Sequence, residues 1–316
     1  MDLTVVVPIY FEEDNIRLLY AALIKALEPT ALEFEIICVD DGSGDNSFSI
    51  LKELAATDQR LRVIRFRRNF GQTAAMAAGF EAARGDVIIP MDGDLQNDPN
   101  DIPLLLEKIK EGYDVVSGWR KDRQDGFINR TLPSRIANGL ISRFTDVHLH
   151  DYGCTLKAYR REVLEGIGLY GEMHRFVPAL ASRIGARVAE IPVRHHPRLY
   201  GASKYGISRT VRVVLDLLTV KFLLSYATKP IQLFGKWGIY SFIMAFCTGG
   251  ATIYMKFFAG TSMNRNPLLI LTAFLLFMGV QFITLGLLGE LNARTYYESQ
   301  GKPIYSIRER LNEPEL

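Results

Sequence analysis

The sequence predicts an α/β domain with a mostly parallel sheet and helices on both faces, followed by two membrane-spanning helices. Over the first two-thirds of the chain, apolar strand-like runs alternate with stretches of helical periodicity. Such alternation is typical of parallel sheets whose strands are connected by helices. In the C-terminal third, two long apolar segments are each long enough to cross a bilayer as a helix.

The predicted elements follow one another in regular order. Each strand is a short apolar run, and each helix carries apolar residues three or four positions apart, as Ile16, Leu19 and Leu23 do. Ligands of such sheets bind outside the carboxyl ends of the strands. The predicted strands are 3–9, 35–39, 61–66, 87–91 and 114–117, and the predicted helices are 15–27, 47–54, 73–83 and 102–111.

The membrane hairpin is predicted from residues 231–258 and 267–289. The second segment has no charged residue, which favours a transmembrane helix over a buried helix of a soluble bundle. Lys236, with Trp237 and Tyr240 beside it, suits a membrane interface. Basic residues flank the hairpin more than they occupy its connector, which predicts that both termini lie in the cytoplasm.

The chain therefore divides into four predicted regions. A cytosolic α/β domain covers residues 1–203, two transmembrane helices lie within 231–293, and a cytosolic tail covers 294–316. Residues 204–230 form an amphipathic segment, which either packs on the protein core or lies in the lipid interface. The interfacial alternative is favoured because the segment joins a cytosolic domain to a membrane hairpin.

Bulk composition excludes several functional classes. Lys and Arg number 37 against 35 Asp and Glu, so net charge gives no reason to expect a nucleic-acid partner. Three widely separated cysteines without a CxxC pattern argue against a disulfide framework or a zinc site, and fit a reducing compartment. The N-terminal residues enter a strand directly, so a cleaved signal peptide is not expected.

Polar motifs follow the first four predicted strands. They contain Pro8, Tyr10 and Glu12 after the first strand and Asp40 and Asp41 after the second. The third strand leads into Arg-Asn-Phe-Gly-Gln at 68–72. One acidic strand end is explained by helix capping, but four consecutive polar strand ends predict a single ligand crevice.

The fourth strand end carries the most informative cluster, Asp92, Asp94 and Gln96. On an extended backbone these side chains would project to the same side. Two carboxylates and an amide oxygen suit Mg²⁺ or Mn²⁺ together with substrate phosphates. An acidic turn without a ligand is the alternative, and the cluster alone does not decide between them.

These motifs resemble the family 2 glycosyltransferases of GT-A fold, and within them the polyprenyl-phosphate glycosyltransferases. The strings that carry the resemblance are VVVPIYFEEDN, VDDGSGDNS, RNFGQ and MDGDLQNDP. DYGCTLKAYRREVL at 151–164 and GASKYG at 201–206 are similar to bacterial undecaprenyl-phosphate glycosyl- and aminoarabinosyltransferases. No GxGxxG or GxxxxGKS string supports a dinucleotide fold or a P-loop.

The resemblance implies a role for each matching residue. Pro8, Tyr10, Glu12 and Asp41 would bind the nucleotide, supported by Asp40, while Asp92, Asp94 and Gln96 would bind Mg²⁺ or Mn²⁺ and the donor diphosphate. Basic residues would contact the acceptor phosphate, since Arg suits phosphate geometry. These acceptor-side residues are Arg120, Arg130, Ser134, Arg198, Ser203 and Lys204, of which Arg120 and Arg198, with Asp94, would be catalytic.

The implied reaction moves a sugar from a nucleotide sugar, UDP-linked rather than GDP-linked, to polyprenyl phosphate with inversion, for cell-envelope glycan or lipid modification. The resemblance also implies a homotetramer and a multi-pass protein of the inner membrane, with residues 1–203 as a cytoplasmic GT-A catalytic domain. A non-catalytic nucleotide-sugar-binding membrane scaffold is the alternative function. A processive polysaccharide synthase is disfavoured, because such enzymes need more membrane spans and a QxxRW-type signature that is not found in the sequence.

Overall fold

The alternation of strands and helices predicted from the sequence is present in the computed structural model. The structure describes residues 1–121, 142, 147–165, 167, 173–197, 230–260, 262, 266–299 and 305–312. The chain divides into two units, one formed by Met1–Leu217 with Pro303–Leu316 and the other by Leu218–Lys302.

The first unit begins with strands and helices in strict alternation, close to the predicted bounds. Each connection returns the chain to the same end of the sheet, which places successive strands parallel. The elements are β1 (Leu3–Ile9), α1 (Ile16–Leu27), β2 (Phe34–Asp40), α2 (Ser47–Thr57), β3 (Leu61–Phe66), α3 (Gln72–Ala82), β4 (Val87–Pro90), α4 (Ile102–Lys110) and β5 (Val115–Trp119).

The later elements complete the sheet and form the second unit. Short helices follow β6, and two long helices precede the last strand. These elements are β6 (Lys157–Arg160), α5 (Arg161–Glu165), α6 (Val177–Arg183), β7 (Val188–Pro192), α7 (Pro230–Phe258), α8 (Pro267–Ser299) and β8 (Ile307–Leu311).

The sheet is mixed, with the strand order β7-β5-β6-β4-β1-β2-β3-β8. The central strands β4, β1, β2 and β3 run parallel to one another, as predicted. Strand β6 is antiparallel to both β4 and β5, and β8 is antiparallel to β3. Strands β6, β7 and β8 were not predicted from the sequence. Strand β8 lies inside the predicted C-terminal tail and extends the sheet beyond β3.

Helices cover both faces of the parallel strands. Alternate residues of β1, such as Val5 and Val7, pack in one apolar core with α1, α2 and α4. Helix α3 packs on β1 and β2, and its buried alanines lie outside that core, which places it on the opposite face. This arrangement confirms the predicted fold class and leaves the carboxyl ends of the strands available for a site.

A buried ionic network closes the opposite, amino-terminal edge of the same strands. Glu35 at the start of β2 is fully buried and accepts hydrogen bonds from Thr4 Oγ1 at 2.8 Å and Arg62 Nη1 at 2.9 Å. Arg84 adds its backbone N–H at 2.8 Å and its guanidinium at 2.8 and 3.0 Å. Burial alone would raise the pKa of Glu35, but these hydrogen bonds outweigh it and lower the pKa.

The second unit consists of α7 and α8, packed against each other. The hydroxyl of Thr272 donates to that of Thr248 across the pair at 2.9 Å. Phe234–Phe258 and Pro267–Gly289 are long and apolar enough to cross a membrane, and large apolar side chains such as Phe246 and Ile270 are exposed. Helix α8 continues to Ser299, beyond the predicted end of the second span. Residues 204–229 of the predicted interfacial segment lie outside the described residues.

Candidate active site

The loops after β1, β2, β3 and β4 meet at one edge of the sheet, as the sequence predicted. The first two loops are joined by the N–H of Asp41 donating to Ile9 O at 2.9 Å and the N–H of Phe11 donating to Ser43 Oγ at 3.1 Å. A Cβ placed on Gly93 would lie 3.0 Å from Ile9 Cδ1, so the fourth loop packs directly against the end of β1.

Asp40 and Asp41 shape the loop after β2 in different ways. Asp40 Oδ1 accepts the N–H of Ser43 at 3.0 Å, which supports the turn. Asp41 accepts the backbone N–H groups of Phe70 at 2.7 Å and Gly71 at 2.9 Å. Burial raises the pKa of both carboxyls. The carboxylate of Asp41 therefore organises the 69–71 loop, and its contact with a nucleotide stays a prediction.

Gly42 is required by the close approach of the same two loops. Its φ of +72° lies in the left-handed region, and a Cβ would lie 2.5 Å from the backbone carbon of Arg68. Glycine avoids both the strain and the collision. This explains why a glycine follows the aspartate pair.

The loop after β1 places Tyr10 and Glu12 at the edge of the crevice. The Tyr10 ring packs edge-to-face on Phe11, with centroids 4.6 Å apart. Glu12 Oε2 accepts from Asn15 Nδ2 at 2.7 Å. Phe11 has a φ of 53° and is 47% exposed, an uncommon backbone conformation for a bulky side chain. Pro8 is half-buried at the end of β1, so the predicted nucleotide-binding set is brought together here.

The acidic loop after β4 is a turn rather than the extended segment that the sequence suggested. Asp94 Oδ1 accepts the N–H of Gln96 at 3.2 Å, and Leu95 has a φ of 60°. An aspartate carboxylate that accepts the N–H two residues later stabilises a turn. This hydrogen bond is why the segment turns here instead of continuing the strand. Asp92, Asp94 and Gln96 still occupy one short loop at the crevice.

Asp92 is fixed by two neighbouring segments. Gln72 Nε2 donates to Oδ1 at 2.8 Å, and Thr155 Oγ1 donates to Oδ2 at 2.7 Å. Burial and the charge of Asp94 raise the pKa of Asp92 to about 6. The carboxylates of Asp92 and Asp94 repel each other in this buried loop, and a cation bound between them would stabilise both in the charged form.

The donor set of this loop fits Mg²⁺ or Mn²⁺. Among the described residues, no three His, Cys, Asp or Glu side chains cluster as a complete protein-only metal site. Mg²⁺ commonly takes one or two carboxylates and completes its shell with substrate phosphates and water. Asp92 and Asp94, with the amide of Gln96, match that pattern rather than a closed structural site.

Arg120 lies on the β5 side of the crevice and is paired with a buried acid. Its Nε and Nη2 donate to the two oxygens of Asp151 at 2.7 and 3.0 Å. Burial alone would lower the pKa of the guanidinium, but the pairing with Asp151 raises it. The guanidinium of Arg120 is thus fixed in place, and its Nη1 takes no part in the two hydrogen bonds to Asp151. Arg130, Ser134, Arg198, Ser203 and Lys204 lie outside the described residues.

The segment before Arg198 is joined to the acidic loop. His195 forms an isolated β-bridge with Asn97, and the N–H of His196 donates to Gln96 O at 2.9 Å. Arg194 pairs with Asp101 at 2.8 Å and with Asp98 at 3.1 Å. The backbone of the two histidines therefore lies against the acidic loop.

Three residues that contact the site were not predicted from the sequence. Gln72, Asp151 and Thr155 contact Asp92 or Arg120 directly. Each lies inside a string that carries the family resemblance, RNFGQ or DYGCTLK. Those strings were the available signal, but the partner of each side chain becomes visible only in three dimensions.

The chain is similar to known proteins over most of its length. The model of the family described as "Glycosyl transferase family 2" matches residues 4–168. Dodecaprenyl-phosphate galacturonate synthase from Rhizobium johnstonii is 43% identical over 313 residues, covering 98% of this chain and 93% of that protein. Undecaprenyl-phosphate 4-deoxy-4-formamido-L-arabinose transferase from Edwardsiella ictaluri is 38% identical over 316 residues, covering 99% and 95%.

The fold also matches solved structures. Glucosyl-3-phosphoglycerate synthase from Mycobacterium tuberculosis, crystallised with Mn²⁺ and UDP-glucose, superposes with a TM-score of 0.53 at 18% identity. The match covers 70% of this chain and 78% of that one, and it concerns the fold alone. On the matched family and the full-length relatives, the chain belongs to glycosyl transferase family 2 and, within it, to the polyprenyl-phosphate glycosyltransferases.

Proposed function

We propose that this protein transfers a sugar from a nucleotide sugar to polyprenyl phosphate, with UDP-linked donors favoured and with inversion at the anomeric carbon. The product would be a polyprenyl-phosphate-linked sugar for cell-envelope glycan or lipid modification. The observation that carries the proposal is the acidic loop at Asp92–Gln96, placed where four strand ends meet and linked to Arg120 through one short segment.

The donor side of the site is assigned to the loops after β1, β2 and β4. Pro8, Tyr10, Glu12 and Asp41, with Asp40 behind them, would surround the nucleotide. Asp92, Asp94 and Gln96 would hold Mg²⁺ or Mn²⁺ against the donor diphosphate. When bound, the metal supplies Lewis-acid stabilisation of the leaving nucleoside diphosphate.

The acceptor side is assigned to basic residues led by Arg120. A lipid phosphate monoester has a second pKa near 6, so most of it carries two negative charges at neutral pH. Its oxygen attacks the sugar C1 without needing a general base, and the electron pair of the broken C1–O bond leaves with the nucleoside diphosphate. Arg120, Arg130, Ser134, Arg198, Ser203 and Lys204 would offset the repulsion between the two anions.

The position of β8 supports a membrane hairpin whose two ends lie on the same side of the membrane. The chain leaves the first unit before α7 and contributes β8 to the sheet of that unit after α8. Two membrane crossings return a chain to the side from which it entered. Because basic residues flank the hairpin more than they occupy its connector, the proposal assigns that side to the cytoplasm. It places the catalytic unit and both termini there and the hairpin in the inner membrane. The homotetramer stays a prediction, which the mass of the detergent-solubilised protein would test.

A non-catalytic scaffold that only binds nucleotide sugar is the second candidate. The contacts of Asp92 with Gln72 and Thr155, together with the paired Arg120, favour the enzyme. A protein that only recognises a nucleotide does not need the guanidinium of Arg120 to be fixed near the acidic loop.

The test is an in vitro assay with undecaprenyl phosphate, Mg²⁺ or Mn²⁺ and a panel of UDP- and GDP-sugars. The panel includes the UDP-linked forms of galacturonate and 4-deoxy-4-formamido-L-arabinose, the sugars named for the two relatives. We expect transfer from one UDP-sugar, loss of transfer with EDTA, and recovery on adding the metal back. Donor binding without transfer from any sugar would favour the scaffold.

The matched variants are Asp94→Asn and Asp86→Asn. Both remove one carboxylate near β4, but Asp86 lies at the amino-terminal end of the strand, where its side chain is 76% exposed. Asp94→Asn should lower transfer at least about 100-fold while the protein stays folded. Full activity of Asp94→Asn, or an equal loss in Asp86→Asn, would refute the metal assignment.

A further inference from the structure

One short turn contacts both sides of the proposed site. Asp151 pairs with Arg120 through two hydrogen bonds of 2.7 and 3.0 Å, and Thr155 donates to Asp92 at 2.7 Å. The turn of residues 151–155 therefore bridges the acceptor-side arginine and the donor-side acid. Its shape sets the relative position of the two.

The ammonium group of Lys157 lies beneath this turn. Lys157 is the first residue of β6, pairs with Ser117 of β5, and is 2% exposed. Its Nζ donates to the backbone carbonyl of Tyr152 at 3.2 Å and to that of Cys154. Both carbonyls belong to the turn, so one buried side chain fixes its backbone at two points.

Burying the ammonium group of Lys157 is energetically unfavourable, so its position requires an explanation. Taking such an ion out of water costs several kcal/mol unless close partners compensate. Burial lowers the pKa of Lys157, in line with this cost. An apolar side chain of similar length would fill the space at lower cost but would leave the two carbonyls without this donor. The ammonium is therefore specific for the backbone of the turn.

The turn is also packed closely around the ion pair that it presents. A Cβ on Gly153 would lie 3.3 Å from Arg120 Nη2 and 3.4 Å from Asp151 Oδ1. The N–H of Asp151 donates to Glu190 on β7 at 3.1 Å, which ties the start of the turn to the sheet. Small displacements of the turn would therefore move Arg120.

We infer that Lys157 is a positioning residue, whose ammonium fixes the 151–155 turn so that Arg120 and Asp92 lie in one mutual geometry. The inference rests on the proposed function, because it assigns acceptor phosphate to Arg120 and donor diphosphate to the Asp92 loop. Lys157 acts through the turn and contacts neither substrate. Misplacement of reacting groups by about 1 Å can cost roughly 100-fold in rate.

The test compares Lys157→Met with Lys52→Met, a matched change at an exposed position of α2. Thermal unfolding first establishes the folded fraction of each variant. We expect turnover per folded molecule to fall about 10- to 100-fold in Lys157→Met and to be unchanged in Lys52→Met. Lys157→Gln, whose amide can still donate to a carbonyl, should retain more turnover than Lys157→Met. It also carries the test if Lys157→Met does not fold.

A double-mutant cycle separates positioning from simple stabilisation. Thr155→Val removes the contact of the turn with Asp92, so Lys157→Met should cost much less turnover in that background than alone. Additive losses, or turnover of folded Lys157→Met within twofold of the wild type, would overturn the inference. If the wild type itself transfers no sugar to polyprenyl phosphate, the proposed function fails instead, so the two failures are distinguishable.

Discussion

Replacing Glu35 by alanine should destabilise the protein strongly while leaving the chemistry of the folded enzyme intact. Glu35 lies at the amino-terminal edge of the sheet, away from the strand ends that form the site. Its carboxylate is fully buried and binds Thr4, Arg62 and Arg84. Removing it leaves those partners in place without their common acceptor.

The size of the destabilisation by Glu35→Ala depends on how deeply Arg62 and Arg84, the partners of Glu35, are buried. The side chain of Arg62 is 8% exposed and would keep an unpaired charge, whereas that of Arg84 is 42% exposed and can be solvated. Breaking a buried ion pair by removing one member costs about 3–5 kcal/mol. At about 2–4 °C per kcal/mol for a chain of this size, the unfolding midpoint should fall by about 6–20 °C.

The assay is thermal unfolding of the detergent-solubilised protein at one scan rate, with transfer activity measured well below the midpoint. Glu33→Ala is the matched control, because the side chain of Glu33 is 71% exposed and forms a surface ion pair with the N-terminal amine. A midpoint shift of Glu35→Ala no larger than that of the control would refute the reasoning. Loss of activity in molecules that remain folded would refute the purely structural role.

The pH dependence of this difference has a definite sign. The pKa of Glu35 is lowered in the folded state, so its contribution is complete above the unfolded-state pKa of about 4.3. That contribution is lost as pH falls through the lower folded-state pKa. The midpoint difference between the wild type and Glu35→Ala should therefore be largest near neutral pH and shrink below about pH 4. A difference independent of pH would contradict the ionic origin.

Three further substitutions test local features by the same unfolding measurement. Gly42→Ala should destabilise the protein by about 1–3 kcal/mol, because an alanine would be strained at this left-handed φ and its Cβ would collide with the Arg68 backbone. An unchanged unfolding midpoint would contradict this. Phe11→Asn should stabilise it by up to about 1 kcal/mol, because asparagine tolerates the positive φ better than phenylalanine, and a lower midpoint would be the opposite result. Asn312→Ala should cost roughly 1–3 kcal/mol, because Nδ2 lies within hydrogen-bond distance of three backbone carbonyls between the last turn of α2 and the start of β3. No change in the midpoint would show that β8 is not anchored there.

Much of the fold could be predicted from local patterns. Apolar runs and helical periodicity located β1 to β5 and α1 to α4 within a few residues. Convergence of the first four strand ends followed from parallel pairing, because parallel strands present their carboxyl ends at one edge. The two apolar helices were equally visible, since the length of an uncharged run is a property of the sequence itself.

Other features could not be predicted from such patterns. Strand β6 inserts antiparallel between β4 and β5, and β8 pairs with β3 from the far end of the chain. Both strands are short, and in β8 three consecutive charged residues stand between its two apolar residues, Ile307 and Leu311. Their pairing depends on which edges of the sheet are left open, and this is a property of the assembled fold.

The candidate site shows the same division. The sequence alone indicated an acidic loop suited to a divalent cation, a polar crevice and a family of enzymes. Only the tertiary structure showed that Asp92 is fixed by Gln72 and Thr155, and that Arg120 is paired with Asp151. Residue types and spacing specify what chemistry a loop can support. Hydrogen bonds between residues distant in sequence decide its geometry, because their energy depends on distances and angles that only the packed chain sets.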